Sequence, residues 1–140
     1  MRKKLVSLVA AGALALGFAA ASPAQADDHE VMFGFAASSS GWMKAYSGPS
    51  TDAALIAIED WNNKGGLLGK TIVPVFADAK TDRVESKKAG MSVLNQGAVA
   101  MAVDCDYDFG APAALAAQNA KKISIFLCAE SVLAGVQGIG

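Results

Sequence analysis

The sequence has 140 residues, of which 53% are hydrophobic, and its 12 Lys and Arg nearly balance 13 Asp and Glu at a net charge of −1. This balance argues against the densely basic surface with which proteins bind nucleic acids. Two cysteines and one histidine are too few for a four-ligand zinc site.

The amino terminus has the pattern of an export signal. A basic start, Met1 to Lys4, precedes the apolar run Leu5 to Ala21 and the cleavage site Ala24-Gln25-Ala26. The alternative is a membrane anchor, but a run of about 17 residues lies at the lower limit for spanning a bilayer. We therefore predict a signal peptide over residues 1–26 and a periplasmic mature chain over 27–140. Without the leader, nine basic residues face thirteen acidic ones, a net charge of about −4.

Strands and helices alternate along the predicted mature chain. Apolar, β-branched runs predict four strands, and segments with helical spacing predict three helices between them. This order implies right-handed crossovers and an α/β fold, a three-layer doubly wound parallel sheet. The predicted elements are strand Val31–Ala36, a helix from about Pro49 to Asn63, strand Thr71–Phe76, a helix from about Arg83 to Asn95, strand Val99–Val103, helix Ala111–Asn119 and strand Ile123–Leu127.

The first helix and second strand have the most distinctive pattern. Gly65 and Gly66 end the helix, because glycine readily takes the left-handed conformation that closes a helix. The strand Thr71–Phe76 is apolar and β-branched, which predicts burial on both faces. A stripe of four apolar residues with helical spacing is predicted to face the core: Leu55, Ile56, Ile58 and Trp61.

The fold predicts where a ligand binds. In doubly wound sheets, ligands lie beyond the carboxyl ends of the strands, where the strand order reverses. The loops after the first, third and fourth strands carry hydroxyl, carboxylate and aromatic side chains, which suit a small-molecule pocket. The predicted ligand-binding residues are Ser40, Trp42, Tyr46, Asp106, Tyr107, Asp108, Ala129, Glu130 and Ser131.

Two of these groups also have a structural interpretation. Trp42 and Tyr46 either pack in the core or form a wall on which a ligand stacks. Asp104, Asp106 and Asp108 alternate as metal-binding carboxylates can, but the glycine and glutamate of a calcium loop are absent. The third carboxylate can instead cap the next helix or remain solvated, and we predict no metal.

Cys105 and Cys128 each follow a predicted strand. If those strands are parallel neighbours, both thiols lie at the same edge of the sheet and can oxidise outside the cytoplasm. The alternative is a pair of buried thiols, because a disulfide requires α-carbons within about 7 Å of each other.

No catalytic or cofactor motif is complete. The segment Gly65 to Thr71 resembles a phosphate-binding loop, but Lys64 replaces its first glycine and the segment follows a helix instead of a strand. No dinucleotide-binding glycine pattern follows the first strand, and no nucleophile elbow is present. The sequence therefore predicts a protein that is not an enzyme and that has no cofactor.

The end of the first helix also carries a family pattern. Ile58, Asn62 or Asn63, Gly65, Gly66, Leu67 and Gly69 match I-x-x-x-N-x-x-G-G-[IL]-x-G, and Asp78 and Asp82 match the acidic loop after the next strand. On these residues the chain resembles the N-terminal lobe of type I periplasmic binding proteins of the leucine/isoleucine/valine-binding class. The resemblance covers roughly residues 30–135. It implies two lobes that close on a solute and deliver it to an ABC permease in the inner membrane.

The resemblance also implies site positions. Tyr46 matches an aromatic residue of the first loop, and Ala129 and Ser131 match the Ala-x-Thr/Ser segment after strand four. Where amino-acid binders carry a serine-rich third loop, this chain has Asp106 to Phe109, which suits a cationic or amide-bearing ligand better. Family members often bridge strands two and three by a disulfide, but strand two here has no cysteine.

We therefore expect the substrate-binding component of an ABC importer, which captures an amino acid or similar small polar solute. One alternative is the extracellular sensing domain of a receptor with this fold, which needs a transmembrane helix. Another is a secreted flavodoxin-like enzyme with Asp106 or Asp108 as acid or base. Because the family has two lobes and the sequence ends at Gly140, we expect the chain to contain only the first part of the domain.

Overall fold

The computed structural model describes residues 28–128. The predicted signal peptide and the ligand residues Ala129, Glu130 and Ser131 lie outside this range. Among the described residues, no helix is both long and apolar enough to cross a membrane. The elements are β1 (Glu30–Ala37), α1 (Lys44–Asn63), β2 (Thr71–Asp78), α2 (Arg83–Asn95), β3 (Ala100–Val103), α3 (Tyr107–Asn119) and β4 (Ile123–Phe126).

The four strands form one parallel sheet in the order β2-β1-β3-β4. In its register, Phe35 of β1 lies beside Phe76 of β2 and Ala102 of β3. Helices α2 and α3 pack against each other and against the strands, while α1 contacts β2. The predicted α/β fold, a doubly wound parallel sheet between helical layers, is confirmed.

The core lies between the sheet and the α2–α3 pair. Its side chains are small, which allows the two helices to approach closely. At Gly90 of α2, an added Cβ would lie 2.9 Å from the Cα of Ala113 on α3, so only glycine fits at this crossing. The buried core residues are Ala36, Ala79, Ala89, Val93, Ala98, Met101, Val103, Ala113, Ala114 and Ala117.

Helix α1 is anchored to β2 at its carboxyl end. The Asn62 amide donates to the Ile72 carbonyl at 2.9 Å and accepts from the Ile72 N–H at 2.8 Å. The helix then ends at Gly65 and Gly66, whose φ angles are 101° and 76°, as the sequence predicts. The Gly66 N–H closes the helix on the Trp61 carbonyl at 2.9 Å.

The predictions about burial of α1 and β2 are partly wrong. Leu55 and Ile58 are half-buried, but Ile56 is 63% and Trp61 is 55% exposed. Phe76, predicted to be covered on both sides, is 52% exposed because β2 lies at the edge of the sheet. At about 100° per residue, Ile56 points away from the side that Leu55 and Ile58 share, so the predicted stripe is too wide. Trp61 lies in the last turn of α1, where its side chain is exposed.

Both α1 and α3 begin earlier than predicted. Helix α1 starts at Lys44 and α3 at Tyr107, so Pro49 and Pro112 lie more than one turn inside them. For α1, tertiary contacts favour the extra turn, because Met43 is buried and Ser47 is held by a buried carboxylate. For α3, Asp106 caps the helix by accepting from the Asp108 N–H.

Candidate ligand-binding site

The strand order reverses between β1 and β3. The chain leaves β1 toward β2 on one side and leaves β3 toward β4 on the other. Since βαβ crossovers are right-handed, α1 and α3 lie on opposite faces, and a crevice opens between the loops that lead to them. We call the loops at these strand ends, residues 38–43, 79–82 and 104–106, the carboxyl edge.

A buried carboxylate connects the loops of the carboxyl edge. Asp104, at the end of β3, is fully buried. Its Oδ1 accepts from the Ser38 N–H and the Ser47 hydroxyl, both at 2.7 Å, and its Oδ2 accepts from the Ser38 hydroxyl at 2.7 Å. We call Ser38, Ser47 and Asp104 the Asp104 cluster. Hydrogen bonds to a charged group are stronger than neutral ones, so this cluster fixes β1, α1 and β3 relative to one another.

The Asp104 cluster also reaches two further segments. The Ser38 hydroxyl accepts from the Thr81 N–H at 2.8 Å, and the Ser47 hydroxyl accepts from the Cys105 N–H at 3.5 Å. No sequence pattern assigns Ser38 or Ser47 to the site, and the alternating carboxylates suggest only a metal ligand role for Asp104. The signal that could have identified the cluster is a charged residue placed directly after a fully apolar strand, where it must be buried and paired.

A second carboxylate, Asp78, holds the serine-bearing loop. Its Oδ2 accepts from the Ser40 hydroxyl at 2.6 Å, and its Oδ1 accepts from the N–H groups of Ser39 at 3.0 Å and Lys80 at 2.8 Å. Partial burial alone would raise the pKa of Asp78, but these hydrogen bonds together outweigh it, and the pKa lies below its ordinary value. The predicted ligand residue Ser40 therefore has its hydroxyl directed at β2.

The loops after β1 and β2 interlock at Thr81. The Thr81 hydroxyl donates to the Ser40 carbonyl at 3.1 Å and accepts from the Met43 N–H at 3.2 Å. Gly41, with φ of 75°, lies against this side chain, and an added Cβ would come within 2.9 Å of the Thr81 Cβ. Both the backbone conformation and the close approach therefore require glycine.

Three aromatic rings lie together beside the carboxyl edge. Trp42 meets Tyr46 edge to face at 6.1 Å and Phe109 at 5.6 Å, which connects the start of α1 to the start of α3. Trp42 is 59% and Tyr46 54% exposed. Of the two interpretations, core packing is wrong for this pair, and the rings present open surface on which a ligand could stack.

The three alternating carboxylates, Asp104, Asp106 and Asp108, interact with different partners. Asp104 is bound by serines, Asp106 caps α3 through the Asp108 N–H at 2.7 Å, and Asp108 pairs with Arg83 of α2 at 2.5 Å. Of the two structural roles predicted for the third carboxylate, capping is wrong because Asp106 caps the helix, while Asp108 is solvated, with 57% of its side chain exposed. Within residues 28–128, no three His, Cys, Asp or Glu side chains are grouped as metal ligands would be.

The structure joins Cys105 and Cys128 by a disulfide with Cα atoms 4.4 Å apart. The two residues follow β3 and β4, which pair in parallel. Cys128 directly precedes the predicted ligand residue Ala129 in the chain. The disulfide thus fixes the start of the segment after β4 against the loop after β3.

Two open cavities flank the carboxyl edge. One of about 330 Å³ lies between α1 and the ends of β1 and β2, and its wall includes Ser38, Lys44 and Asp78. The other, of about 400 Å³, lies between α2 and α3, where Arg83, Tyr107 and Asp108 line it. The predicted ligand residues Tyr107 and Asp108 thus line the cavity between α2 and α3, while Ser40, Trp42 and Tyr46 line neither of these two cavities.

A parallel sheet that reverses its order beside braced, aromatic-bearing loops defines a solute-binding lobe of the α/β type. The family model for the periplasmic binding protein domain matches residues 31–108, so the chain belongs to the type I periplasmic binding proteins. This is a family of binding proteins and not of enzymes. No protein of curated function is significantly similar to the chain.

A solved relative shares this architecture. The chain is similar to the branched-chain amino acid transporter substrate-binding protein LivJ of Streptococcus pneumoniae strain Canada MDR_19A, solved in complex with isoleucine. The two are 25% identical with a TM-score of 0.69, and the match covers 74% of this chain. The chain corresponds to 30% of the length of that LivJ protein.

Proposed function

We propose that the protein is the substrate-binding component of an ABC importer that captures an amino acid or similar small polar solute in the periplasm. The observation that carries this proposal is the carboxyl edge of the sheet, where the Asp104 cluster holds the loop that bears Trp42 and the start of α1, which bears Tyr46. The similarity of the chain to a LivJ protein solved with isoleucine supports an amino acid as the class of ligand. The leader over residues 1–26 would direct the protein to the periplasm, where a permease would receive the solute.

The proposed ligand contacts are those named from the sequence. Trp42 and Tyr46 would provide apolar faces for a side chain, and residues 129–131 would contribute polar contacts beyond β4. Ser40 already donates its hydroxyl to Asp78, so it would accept hydrogen bonds or contribute through its backbone. In this proposal, closure of a second lobe completes the burial of the solute, as a two-lobed fold requires.

The acidic loop after β3 bears on the class of solute. Asp106 accepts from the Asp108 N–H, so a carboxylate of the protein already occupies the anion position at the start of α3. A ligand carboxylate placed there would meet like charge, whereas an ammonium or amide N–H would be attracted. We therefore propose that the solute presents a donor group, and not its carboxylate, to Asp106.

A thermal-shift screen of the full-length mature protein tests the proposal. The probes are the proteinogenic amino acids, their amides, the polyamine putrescine and aromatic acids. A solute that binds only the native state at 100 times its Kd adds about 2.7 kcal/mol of stability, which raises Tm measurably. The absence of a shift with every probe would contradict the proposal. A larger shift with an amino-acid amide than with the free acid would support donor recognition at Asp106.

A further inference from the structure

The cavity between α1 and the first two strands has an aromatic floor. Phe35 of β1 and Phe76 of β2 both line it, and their rings stack with centroids 5.2 Å apart and planes 15° apart. Phe35 is buried, whereas Phe76 is 52% exposed. Because aromatic rings favour offset stacking, a half-exposed ring that lies flat on a buried one can accept a further planar group. The floor therefore suits a flat apolar body.

The wall that α1 contributes leaves room above the two rings. Among the described residues, and apart from the helix's own backbone, only the Lys44 Cγ would lie within 4 Å of a Cβ added at Gly48, at 3.9 Å. The volume of about 330 Å³ lies within the range of small-molecule sites, so a molecule the size of one amino acid fits. Five residues at helical spacing line this wall: Lys44, Gly48, Thr51, Asp52 and Leu55.

Two charges of opposite sign border the cavity. Lys44 and Asp52 lie on the same side of α1, about two turns apart. Within residues 28–128, neither side chain forms an ion pair or a hydrogen bond. Asp78, which also lines the cavity, already accepts hydrogen bonds from the Ser40 hydroxyl and from backbone N–H groups. The cavity thus presents one available ammonium group and one available carboxylate beside its aromatic floor.

We propose that this cavity is a second ligand site, which binds the zwitterion of an aromatic amino acid. The ring of the ligand stacks on Phe76, its carboxylate meets Lys44, and its ammonium group meets Asp52. A mostly apolar pocket with a few charged groups gives a ligand one orientation, since hydrogen bonds between charged groups are stronger than neutral ones. The inference does not rest on the proposed function, because Trp42 and Tyr46 do not line this cavity.

Isothermal titration of the full-length mature protein with phenylalanine tests this site. Three further probes each lack one feature: phenethylamine lacks the carboxylate, phenylacetate lacks the ammonium group, and glycine lacks the ring. We expect phenylalanine to bind at least about fivefold more tightly than each of them, which corresponds to one partly exposed charge pair. Equal affinities for phenylalanine, phenethylamine and phenylacetate would overturn the zwitterion as the class of ligand.

Filling the cavity separates this site from the carboxyl edge. Gly48→Leu should weaken phenylalanine binding at least about tenfold, because its side chain occupies the space of the ligand ring. Since Pro49 crowds a Cβ on the residue before it, Thr51→Phe is a second variant that fills the same cavity. Ala57→Leu, at an exposed position of α1 outside the cavity, is the matched control. Trp42→Ala alters only the carboxyl edge, so the phenylalanine that this variant still binds occupies the cavity. Circular dichroism establishes that each variant is folded.

Substitutions at the two charges test the orientation of the ligand. Lys44→Gln should lower the affinity for phenylalanine about fivefold but leave that for phenethylamine unchanged, because this probe has no carboxylate. Asp52→Asn should likewise lower the affinity for phenylalanine and leave that for phenylacetate unchanged. Lys64→Gln and Asp60→Asn are matched controls, since both residues are exposed near the carboxyl end of α1 and outside the cavity.

Each other outcome overturns one specific claim. Phenylalanine binding that both cavity-filling variants leave intact, or that Trp42→Ala abolishes, overturns the second site. If neither cavity-filling variant folds, unchanged affinity in Lys44→Gln and Asp52→Asn overturns it in the same way. Binding that is lost in Gly48→Leu but kept in Trp42→Ala supports the cavity even where no solute depends on the carboxyl edge, and only the proposed function then fails.

Discussion

The Ser38 hydroxyl donates a 2.7 Å hydrogen bond to the buried carboxylate of Asp104, and this contact joins the ends of β1 and β3. These strands are neighbours at the centre of the sheet, where the chain leaves in opposite directions. The same carboxylate holds Ser47, so a single charged group fixes the start of α1 against the sheet. Buried hydrogen bonds therefore fix the loops of the carboxyl edge, while its aromatic residue Trp42 is exposed.

Replacing the buried carboxylate tests this bracing. In Asp104→Asn, an amide NH2 group replaces Oδ2, so the Ser38 hydroxyl loses the oxygen to which it donates. The same hydroxyl already accepts a hydrogen bond from the Thr81 N–H, so the new amide donor would compete for it. The loss of charge-assisted hydrogen bonds predicts a decrease of about 2 kcal/mol in the free energy of unfolding. Urea denaturation measures it. Asp108→Asn breaks only an exposed ion pair and should change stability by less than about 1 kcal/mol. Equal effects of the two substitutions would contradict a special role for Asp104.

Asp78 predicts a pH dependence of stability. Its hydrogen bonds hold the folded-state pKa below the unfolded value of about 3.9. The stabilisation is therefore complete above that value and is lost as pH falls through the lower folded-state pKa. Urea denaturation between pH 5 and pH 3 should show a steeper loss in the wild type than in Asp78→Asn, which cannot titrate at this site. Parallel pH profiles would show that the Ser39 and Ser40 contacts do not favour the charged form.

Gly41 allows backbone strain and steric conflict to be separated. Gly41→Ala combines a positive φ with a clash against Thr81, and we expect a loss of about 2 to 3 kcal/mol. Gly69→Ala has a similar φ of 80°, but nothing lies within 4 Å of the added Cβ, so about 1 kcal/mol should be lost. Chemical denaturation of both variants gives the difference. If the two costs are equal, the loops after β1 and β2 do not interlock as tightly as the structure indicates.

The sequence predicts the order of elements because each depends on local signals. Alternating apolar runs mark the strands, and Gly65 and Gly66 mark the end of α1. Periodicity placed Leu55 and Ile58 on the inner face of α1 correctly, but it was wrong for Ile56 and Trp61, which are exposed.

The site was less predictable for a related reason. Ser38 and Asp104 are 66 residues apart, and no local pattern shows that they pair. Their positions at the ends of strands β1 and β3 do place them at one edge, once the strand order is known. Asp106 and Asp108 looked alike in sequence, yet one caps a helix and the other pairs with Arg83. Such roles depend on tertiary neighbours that residue spacing does not specify.

The exposed aromatic pair should contribute to affinity. In Trp42→Ala, loss of stacking area and of the Tyr46 contact should weaken solute binding by roughly tenfold or more, since aromatic anchors commonly contribute 1 to 2 kcal/mol. Trp61→Ala is a matched control, because Trp61 is similarly exposed but lies at the other end of α1. Isothermal titration with the best solute compares the two variants. Equal loss in both, or none in Trp42→Ala, would remove Trp42 from the site.

In the proposed function, the carboxyl edge of the sheet binds the solute. Hydrogen–deuterium exchange of the full-length mature protein, with and without the solute that most raises Tm, tests it most directly. We expect slower exchange in peptides that cover residues 38–47 and 104–109, and unchanged exchange in residues 64–70 at the opposite edge. Protection confined to residues 64–70, or to the outer surfaces of α2 and α3, would contradict it.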